Sequence, residues 1–298
     1  MESKKYSNGQ VNIKDIVFVF LPIFVAIVIQ YVVMITDIIV LFVGNVFSDE
    51  RYERTRTVEQ ILQQDYNQPM NMAFISVAQY LIYGLVFCIW YYKVFVKQNS
   101  KDEIISAGAI VRSSCKNIFT SIIPVFLVVA GYAAQLFVDA VMTLVRPYFV
   151  DAFTQYDKLV DKVIGAYSSW VMLLAVCILA PIAEEFMFRG LIQKYSLKCF
   201  PAVVAIVLQG FLFGLYHGNM VQGVYAFVLG TLLGFIAYKF DSLVPNIVLH
   251  MAINVSLLFV PQSLFESTTS TIVTAVLSGI VLLVCMVLVF RKVPKKEQ

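Results

Sequence analysis

The chain has 298 residues, of which 60% are hydrophobic and only 14% charged, and its formal net charge is +3. A soluble domain usually carries about 25% charged residues, and the mean hydropathy here is +0.81. This composition excludes an ordinary soluble protein and predicts an all-α, polytopic membrane helical bundle. Because the sequence has no basic patch and no glycine-rich phosphate loop, no nucleic-acid partner is expected.

Eight apolar segments are interpreted as transmembrane helices, each of which needs roughly 20 residues to cross a bilayer. They are residues 16–42, 73–92, 118–145, 170–191, 202–216, 221–238, 243–260 and 271–290. The first is too long for a signal peptide and lacks a small-residue cleavage site, so we expect it to be retained. It carries Gln30 and Asp37. We expect this helix to tilt or break near Asp37, whose charge fits a helix end or the membrane interface.

Lysine and arginine are unevenly distributed between the predicted loops. With a cytoplasmic N-terminus, fifteen of these residues lie on the cytoplasmic side and six on the other, while Arg189 lies inside a span. The positive-inside rule then predicts that both termini are cytoplasmic. We expect a multi-pass protein of the plasma membrane, with the lipid bilayer as its first partner.

Two long loops lie on the opposite side of the membrane, at residues 44–72 and 146–169. Charged residues in the second loop indicate a solvated helix or a lid, although an ordinary surface loop is the simpler expectation for both. Glycines at intervals of four residues predict close helix packing of the fifth and sixth segments; these are Gly210, Gly214, Gly218, Gly230 and Gly234. We divide the chain into an N-terminal part (1–169), a core (170–262) and a last helix with a basic tail (263–298).

Three charged residues stand inside the apolar fourth segment: Glu184, Glu185 and Arg189. Charge at membrane depth costs from a few to more than ten kcal/mol and therefore tends to mark a function. Glu185 and Arg189 are four residues apart, so they can pair on one helix face. Glu184 is turned about 100° away and is left free. Pro181 removes a backbone donor one turn earlier and predicts a kink that would admit water.

The chain has only two histidines, His217 and His250, and both lie in or at the ends of apolar segments. Counting back from the turn between the fourth and fifth segments places Glu184 nearly level with His217. His250 would need a tilted or re-entrant helix near Pro245 to reach the same depth, and Asn254 follows it by one helical turn. Two imidazoles, a carboxylate and a carboxamide suit water activation and oxyanion stabilisation.

Three motifs in this order, on successive apolar segments, resemble a known family. Glu184-Glu185-x-x-x-Arg189, Phe213-x-x-x-His217 and His250-x-x-x-Asn254 are similar to the motifs of the CPBP family of intramembrane proteases, also called the CAAX protease or Abi family. The resemblance covers about a third of the chain, from residue 170 to residue 260.

The resemblance implies an intramembrane endopeptidase that cuts a membrane-associated peptide or the C-terminal tail of a lipidated protein. It implies that Glu184 and His217 activate a water while His250 and Asn254 hold the oxyanion. The residues that would shape the site or bind substrate are Glu185, Arg189, Phe188 and Phe213. Family substrates would be peptide pheromones or bacteriocins in a bacterium, and a tripeptide that follows a prenylated cysteine in a eukaryote or archaeon.

The resemblance leaves the cofactor open between none and zinc. Many family members are labelled metalloproteases, and Glu184, His217 and His250 are candidate zinc ligands. The glutamate-dependent scheme attributed to the prenyl-protein proteases needs no metal, and the sequence lacks the H-E-x-x-H helix of common zinc proteases. These two points favour a metal-free site.

A different class of function is a non-catalytic membrane scaffold or a bacteriocin self-immunity protein that uses the same fold. Such a protein has no need of an unpaired intramembrane glutamate that faces a histidine, so the motif set favours the enzyme.

Overall fold

The computed structural model describes residues 12–47, 57, 60, 68–97, 121–167 and 170–292. Within these ranges all regular structure is helical, which confirms the all-α prediction. The main helices are α1 (Ile13–Phe47), α2 (Pro69–Tyr91, extended by a π-helical turn Tyr92–Val96), α3 (Ile123–Val145), α4 (Val150–Tyr167), α5 (Trp170–Cys199), α6 (Ala202–Tyr216), α7 (Met220–Phe240), α8 (Val244–Ser256) and α9 (Thr268–Arg291).

Each of the eight predicted apolar segments corresponds to a helix, but the helices fall into two length classes. Among the described residues, six helices are long and apolar enough to cross a membrane, namely α1, α2, α3, α5, α7 and α9. The other two, α6 and α8, have 15 and 13 residues, or roughly 20 Å each at 1.5 Å per residue. They are shorter than the hydrocarbon core, which is about 30 Å thick. The chain is an integral, multi-pass membrane protein with two short helices inside the bundle.

The central helix of the bundle is α5. In its most apolar stretch 61% of the residues are buried, against 17% in α1. Helices α1, α2, α5 and α6 share one apolar cluster that includes Phe87 and Phe188, while α3, α7, α8 and α9 share another that includes Leu127 and Leu249. The charged residues of α5 therefore lie close to the boundary between two packed cores.

Close packing of α6 against α7 is confirmed and has a simple cause. A Cβ atom at Gly210 would lie 2.9 Å from the backbone nitrogen of Thr231, and one at Gly214 would lie 2.5 Å from the carbonyl oxygen of Gly223. A Cβ atom essentially never lies this close to a backbone atom, so only glycine permits this approach. Gly218 has a different role, because its φ of +67° is the left-handed conformation that follows many helix ends.

Two expectations about the first half of the chain have definite outcomes. Of the tilt or break expected near Asp37, the break does not occur, since α1 continues through Asp37 to Phe47, and Asp37 accepts a hydrogen bond from the Asn71 amide of α2 at 3.1 Å. The amide satisfies the carboxylate without a change in the helix. The second long loop contains α4, whereas most of the first, residues 44–72, lies outside the described residues.

Replacement of Gly210 by alanine tests the contact between α6 and α7. The new methyl group would meet backbone atoms of Thr231, which cannot rotate away, so we expect Gly210→Ala to destabilise the protein by about 1–3 kcal/mol. The measurement is the midpoint of thermal unfolding in detergent.

Gly84 on α2 supplies the matched control, because a Cβ there would meet nothing within 4 Å. Gly84→Ala should leave stability unchanged or raise it by up to about 1 kcal/mol through better helix propensity. Equal effects of the two substitutions would contradict the close approach of α6 and α7.

Candidate active site

A cavity of about 700 Å³ lies inside the bundle and reaches the charged part of α5. Its wall includes all four predicted catalytic residues, Glu184, His217, His250 and Asn254, together with Phe213. Helix α5 supplies the carboxylate, the end of α6 supplies the first imidazole, and α8 supplies the second imidazole and the carboxamide. Their roles remain predictions, but the structure brings these side chains to one space.

Asn254 is held by a backbone carbonyl that Pro181 leaves without a helical partner. The backbone of α5 is π-helical over Ala175–Leu179, and the Ala180 N–H donates to the Ala175 carbonyl oxygen, five residues back. The next bond in that register would join residue 181 to Val176, but proline has no N–H. Instead the Asn254 Nδ2 donates to the Val176 oxygen at 2.8 Å. The carboxamide still has a second N–H that is free to donate.

Glu185 is the centre of a buried ionic network between α5 and α8. Its Oε1 accepts hydrogen bonds from Arg189 Nη1 at 2.8 Å and from His250 Nδ1 at 2.9 Å. The side chains of Glu185 and Arg189 are fully buried, which confirms the ion pair expected from their spacing. An ionised carboxylate only accepts hydrogen bonds, so Nδ1 of His250 carries the proton and Nε2 is left for the cavity.

His217 is oriented by the end of α6. Its Nδ1 lies 2.8 Å from the Phe213 carbonyl oxygen, which can only accept, so Nδ1 is again the protonated nitrogen. Its Nε2 is then the basic nitrogen, which is the state that a proton acceptor requires. The chain leaves the helix at once through Gly218, and Asn219 caps α7 by accepting from the Val221 and Gln222 amides. This short connection holds His217 at the turn between α6 and α7.

Glu184 lies beside these groups and makes no hydrogen bond within the described part of the chain. Only 7% of the residue is exposed. Its closest ionisable neighbour there is His250, with 3.7 Å between Glu184 Oε2 and Nε2. We expected Glu184 to face His217 across the hairpin; both line the cavity, while the ion-pair contact is with His250. A buried carboxylate without a bound donor is free to hold a water.

Two phenylalanines pack beside the arginine and the imidazoles. The Arg189 guanidinium lies 4.6 Å from the centroid of the Phe213 ring, a cation–π arrangement. The edge of Phe213 meets His217 and His250 at centroid distances of 4.7 and 5.8 Å, and Phe188 packs against it at 4.9 Å. Phe188 is completely buried. Whether the two rings bind substrate or only shape the site stays a prediction.

Sequence reasoning missed a layer of amides behind the ion pair. Gln209 Nε2 donates to the Gly230 carbonyl at 2.8 Å, and Gln193 Nε2 donates to the Gly234 carbonyl at 2.8 Å. Arg189 Nη2 shares the Gly230 oxygen at 3.0 Å. The sequence did contain a signal for these hydrogen bonds, because glutamines in apolar spans need partners and glycines leave their carbonyls accessible. Their pairing could not be foreseen, because the three helices meet only in the fold.

The candidate zinc ligands do not form a metal-binding group in the described part of the chain, where no set of three or more His, Cys, Asp or Glu side chains could hold a metal ion. Glu184 and His250 are neighbours, but no third His, Cys, Asp or Glu side chain completes a group with them within the described ranges. The residues present therefore do not fit a three-ligand zinc site, and no step of the mechanism below is routed through a metal.

The core of the chain is similar to one known protein family. Residues 166–256 match the family model described as type II CAAX prenyl endopeptidase Rce1-like. The resemblance predicted from the motifs is confirmed. The match covers about a third of the chain and contains every candidate catalytic residue of the cavity. No curated protein and no solved structure is similar to the chain at a significant level.

A double-mutant cycle tests the ionic network. Arg189→Met leaves the Glu185 charge buried without its cation and should cost about 3–5 kcal/mol of stability. Removing both charges in Glu185→Leu/Arg189→Met should recover much of this loss, because no uncompensated charge remains. Thermal unfolding of the wild type, both single variants and the double variant measures the coupling.

Arg146→Met is the control, since it breaks the exposed Arg146–Asp157 pair and should cost less than about 1 kcal/mol. Additive losses at positions 185 and 189 would argue against a coupled network.

Proposed function

We propose that this chain is an intramembrane endopeptidase that hydrolyses a peptide bond in a membrane-associated peptide or protein tail. The observation that carries the proposal is Glu184, a buried carboxylate with no hydrogen bond to the described residues, in a cavity with two imidazoles. An unsatisfied intramembrane charge is costly, and here a water molecule would satisfy it. The similarity to the Rce1-like CAAX endopeptidases supports the same activity.

The proposed reaction begins with a water held between Glu184 and Nε2 of His217. Glu184 takes a proton as the water oxygen attacks the scissile carbonyl carbon, which forms a tetrahedral oxyanion. The C–N bond then breaks, and the proton returns from Glu184 to the leaving amine. The products are a new C-terminal carboxyl group and a free amine, so one water is consumed for each bond cut.

The oxyanion would be stabilised by α8. Asn254 has one N–H bound to Val176 and a second N–H free, and His250 presents Nε2 because Glu185 binds Nδ1. In this role His250 must also carry a proton on Nε2, so it acts as the imidazolium between Glu184 and Glu185. Donors that are already oriented stabilise developing charge without reorganisation, and here Val176 and Glu185 provide that orientation.

The substrate class and the membrane topology are also part of the proposal. The family match supports a peptide or lipidated protein as substrate. The excess of basic residues on one side supports cytoplasmic N- and C-termini in the plasma membrane. The cavity would then receive a tail that is anchored in the bilayer next to it.

Glutamate substitution tests the mechanism directly. Loss of the general base should reduce cleavage about 10²–10⁴-fold in both Glu184→Ala and Glu184→Gln, measured on a candidate peptide in proteoliposomes. Glu266→Gln is the matched control, because Glu266 is an exposed glutamate outside the cavity.

Full activity of both Glu184 variants would overturn the mechanism. If the wild type cuts no peptide, and the Glu184 variants keep the phenotype of the wild type in cells, the scaffold or self-immunity alternative would be supported instead.

Metal content is a separate prediction. Because the described residues do not form a three-ligand site, we expect purified active protein to contain far less than one zinc per chain and to keep its activity after treatment with a chelator. Elemental analysis and a cleavage assay on the same sample measure both. One tightly bound zinc, together with activity lost on chelation and restored by zinc, would show that the site uses a metal.

A further inference from the structure

A third carboxylate lies near the cavity, besides Glu184 and Glu185, and takes no part in the proposed chemistry. Asp139 is on the membrane-spanning helix α3 and is partly buried. Its Oδ1 accepts one hydrogen bond, from Gln135 Nε2 at 2.9 Å, one helical turn away. Within the described ranges no basic side chain pairs with it. An intramembrane charge that has only an amide partner is a candidate functional group.

Asp139 stands behind one part of the cavity wall. Gln135 lines the cavity, as do Tyr156 of α4 and Tyr225 of α7, whose hydroxyl oxygens are 3.3 Å apart. Burial raises the pKa of the Tyr156 phenol, and the negative charges of Asp139 and Asp157 add to the rise. Asp139 therefore acts electrostatically on Tyr156, at the part of the cavity wall where α3 and α4 are close to each other.

The hydrogen bond to Asp139 also sets the orientation of the Gln135 amide. A carboxylate only accepts, so it must face the NH₂ group of Gln135. The carbonyl oxygen Oε1 is then the end of the amide left for another partner, and it is an acceptor. This part of the wall presents acceptor oxygen backed by negative charge.

The charges around the cavity do not balance. Arg189 offsets Glu185 at 2.8 Å, but neither Glu184 nor Asp139 has a basic partner among the described lysines and arginines. Glu184 is more than nine-tenths buried and has no hydrogen bond there. With His250 as the imidazolium of the proposed mechanism, three carboxylates (Glu184, Glu185 and Asp139) face two cations (Arg189 and His250), so the cavity keeps an excess of one negative charge. In a low-dielectric interior such a field attracts a cation and rejects an anion.

We propose that the cavity recognises a cationic side chain of the substrate, a lysine or arginine near the scissile bond, at the wall formed by Gln135 and Tyr156 and through the charge of Asp139. This inference rests on the proposed function and adds a substrate class to it. The ammonium or guanidinium N–H groups would donate to Gln135 Oε1, and the charge would be balanced by Asp139. Because Asp139 does not contact the reacting atoms, it is a specificity-determining residue.

The test uses two series of peptides that differ in charge but hardly in length. A peptide that the wild type cuts is resynthesised with lysine at each position around the cleaved bond, and again with norleucine, which keeps the methylene chain but lacks the ammonium group. At one position we expect lysine to raise kcat/KM at least about tenfold over norleucine, as for charges several ångström apart at an effective dielectric constant of ~20.

Asp139→Asn identifies the group responsible, because asparagine can still accept the hydrogen bond from Gln135. We expect this variant to lose the preference for lysine, so that its ratio of kcat/KM for lysine over norleucine falls at least about tenfold below that of the wild type. Asp151→Asn is the matched control, since Asp151 is an exposed carboxylate on α4, and it should keep the preference.

The outcomes separate this inference from the proposed function. If the wild type cuts no candidate peptide at all, lysine-containing peptides included, the proposed function fails and the subsite fails with it. If it cuts lysine and norleucine peptides equally at every position, or if Asp139→Asn keeps the preference, cleavage stands and the cationic subsite is wrong. A loss of cleavage of both series in Asp139→Asn, with an unchanged unfolding midpoint, would assign Asp139 to catalysis and would also overturn the subsite.

Discussion

The buried carboxylate of Glu185 is the constraint on which the rest of the site depends. One oxygen binds the guanidinium one turn along α5 and the imidazole of α8, so a single charge joins two helices from different apolar clusters. Isolated, this carboxylate would be prohibitively costly inside a membrane. With Arg189 it becomes a fixed acceptor that determines which nitrogen of His250 carries the proton. The neighbouring Glu184 is thereby left as the carboxylate available for chemistry.

Backbone carbonyls orient most of the other polar side chains in the bundle. The oxygens of Val176, Phe213 and Gly230 accept from Asn254, His217 and Gln209 respectively. The Val176 carbonyl is accessible because α5 is locally irregular there. The Phe213 carbonyl is accessible because it lies near the end of α6, and the Gly230 carbonyl because that residue has no side chain. A proline, a helix end and a glycine therefore perform one physical task, which is to expose an acceptor inside an apolar bundle. The candidate catalytic side chains are therefore oriented largely by backbone carbonyls rather than by additional charged residues.

Several features followed from sequence because they depend on short-range geometry. The eight apolar segments, the Glu185–Arg189 pair and the glycine contacts of α6 with α7 are consequences of length, i,i+4 spacing and side-chain size. Of the tilt or break expected near Asp37, the break does not occur; the partner of Asp37, Asn71, comes from another helix and could not be identified from the local pattern. Asp139 was overlooked for a similar reason, since its significance depends on the cavity behind which it lies.

The sequence by itself determined that the chain is a helical membrane protein, which residues are the candidates for its chemistry and which family they resemble. Those properties reside in composition and in motifs of about five residues. Only the tertiary structure decided that Glu185 binds His250, that Pro181 leaves a carbonyl for Asn254, and that Glu184 and Asp139 leave the cavity with unbalanced negative charge. These facts join residues up to 78 positions apart, and helical periodicity says nothing about which faces of distant helices meet.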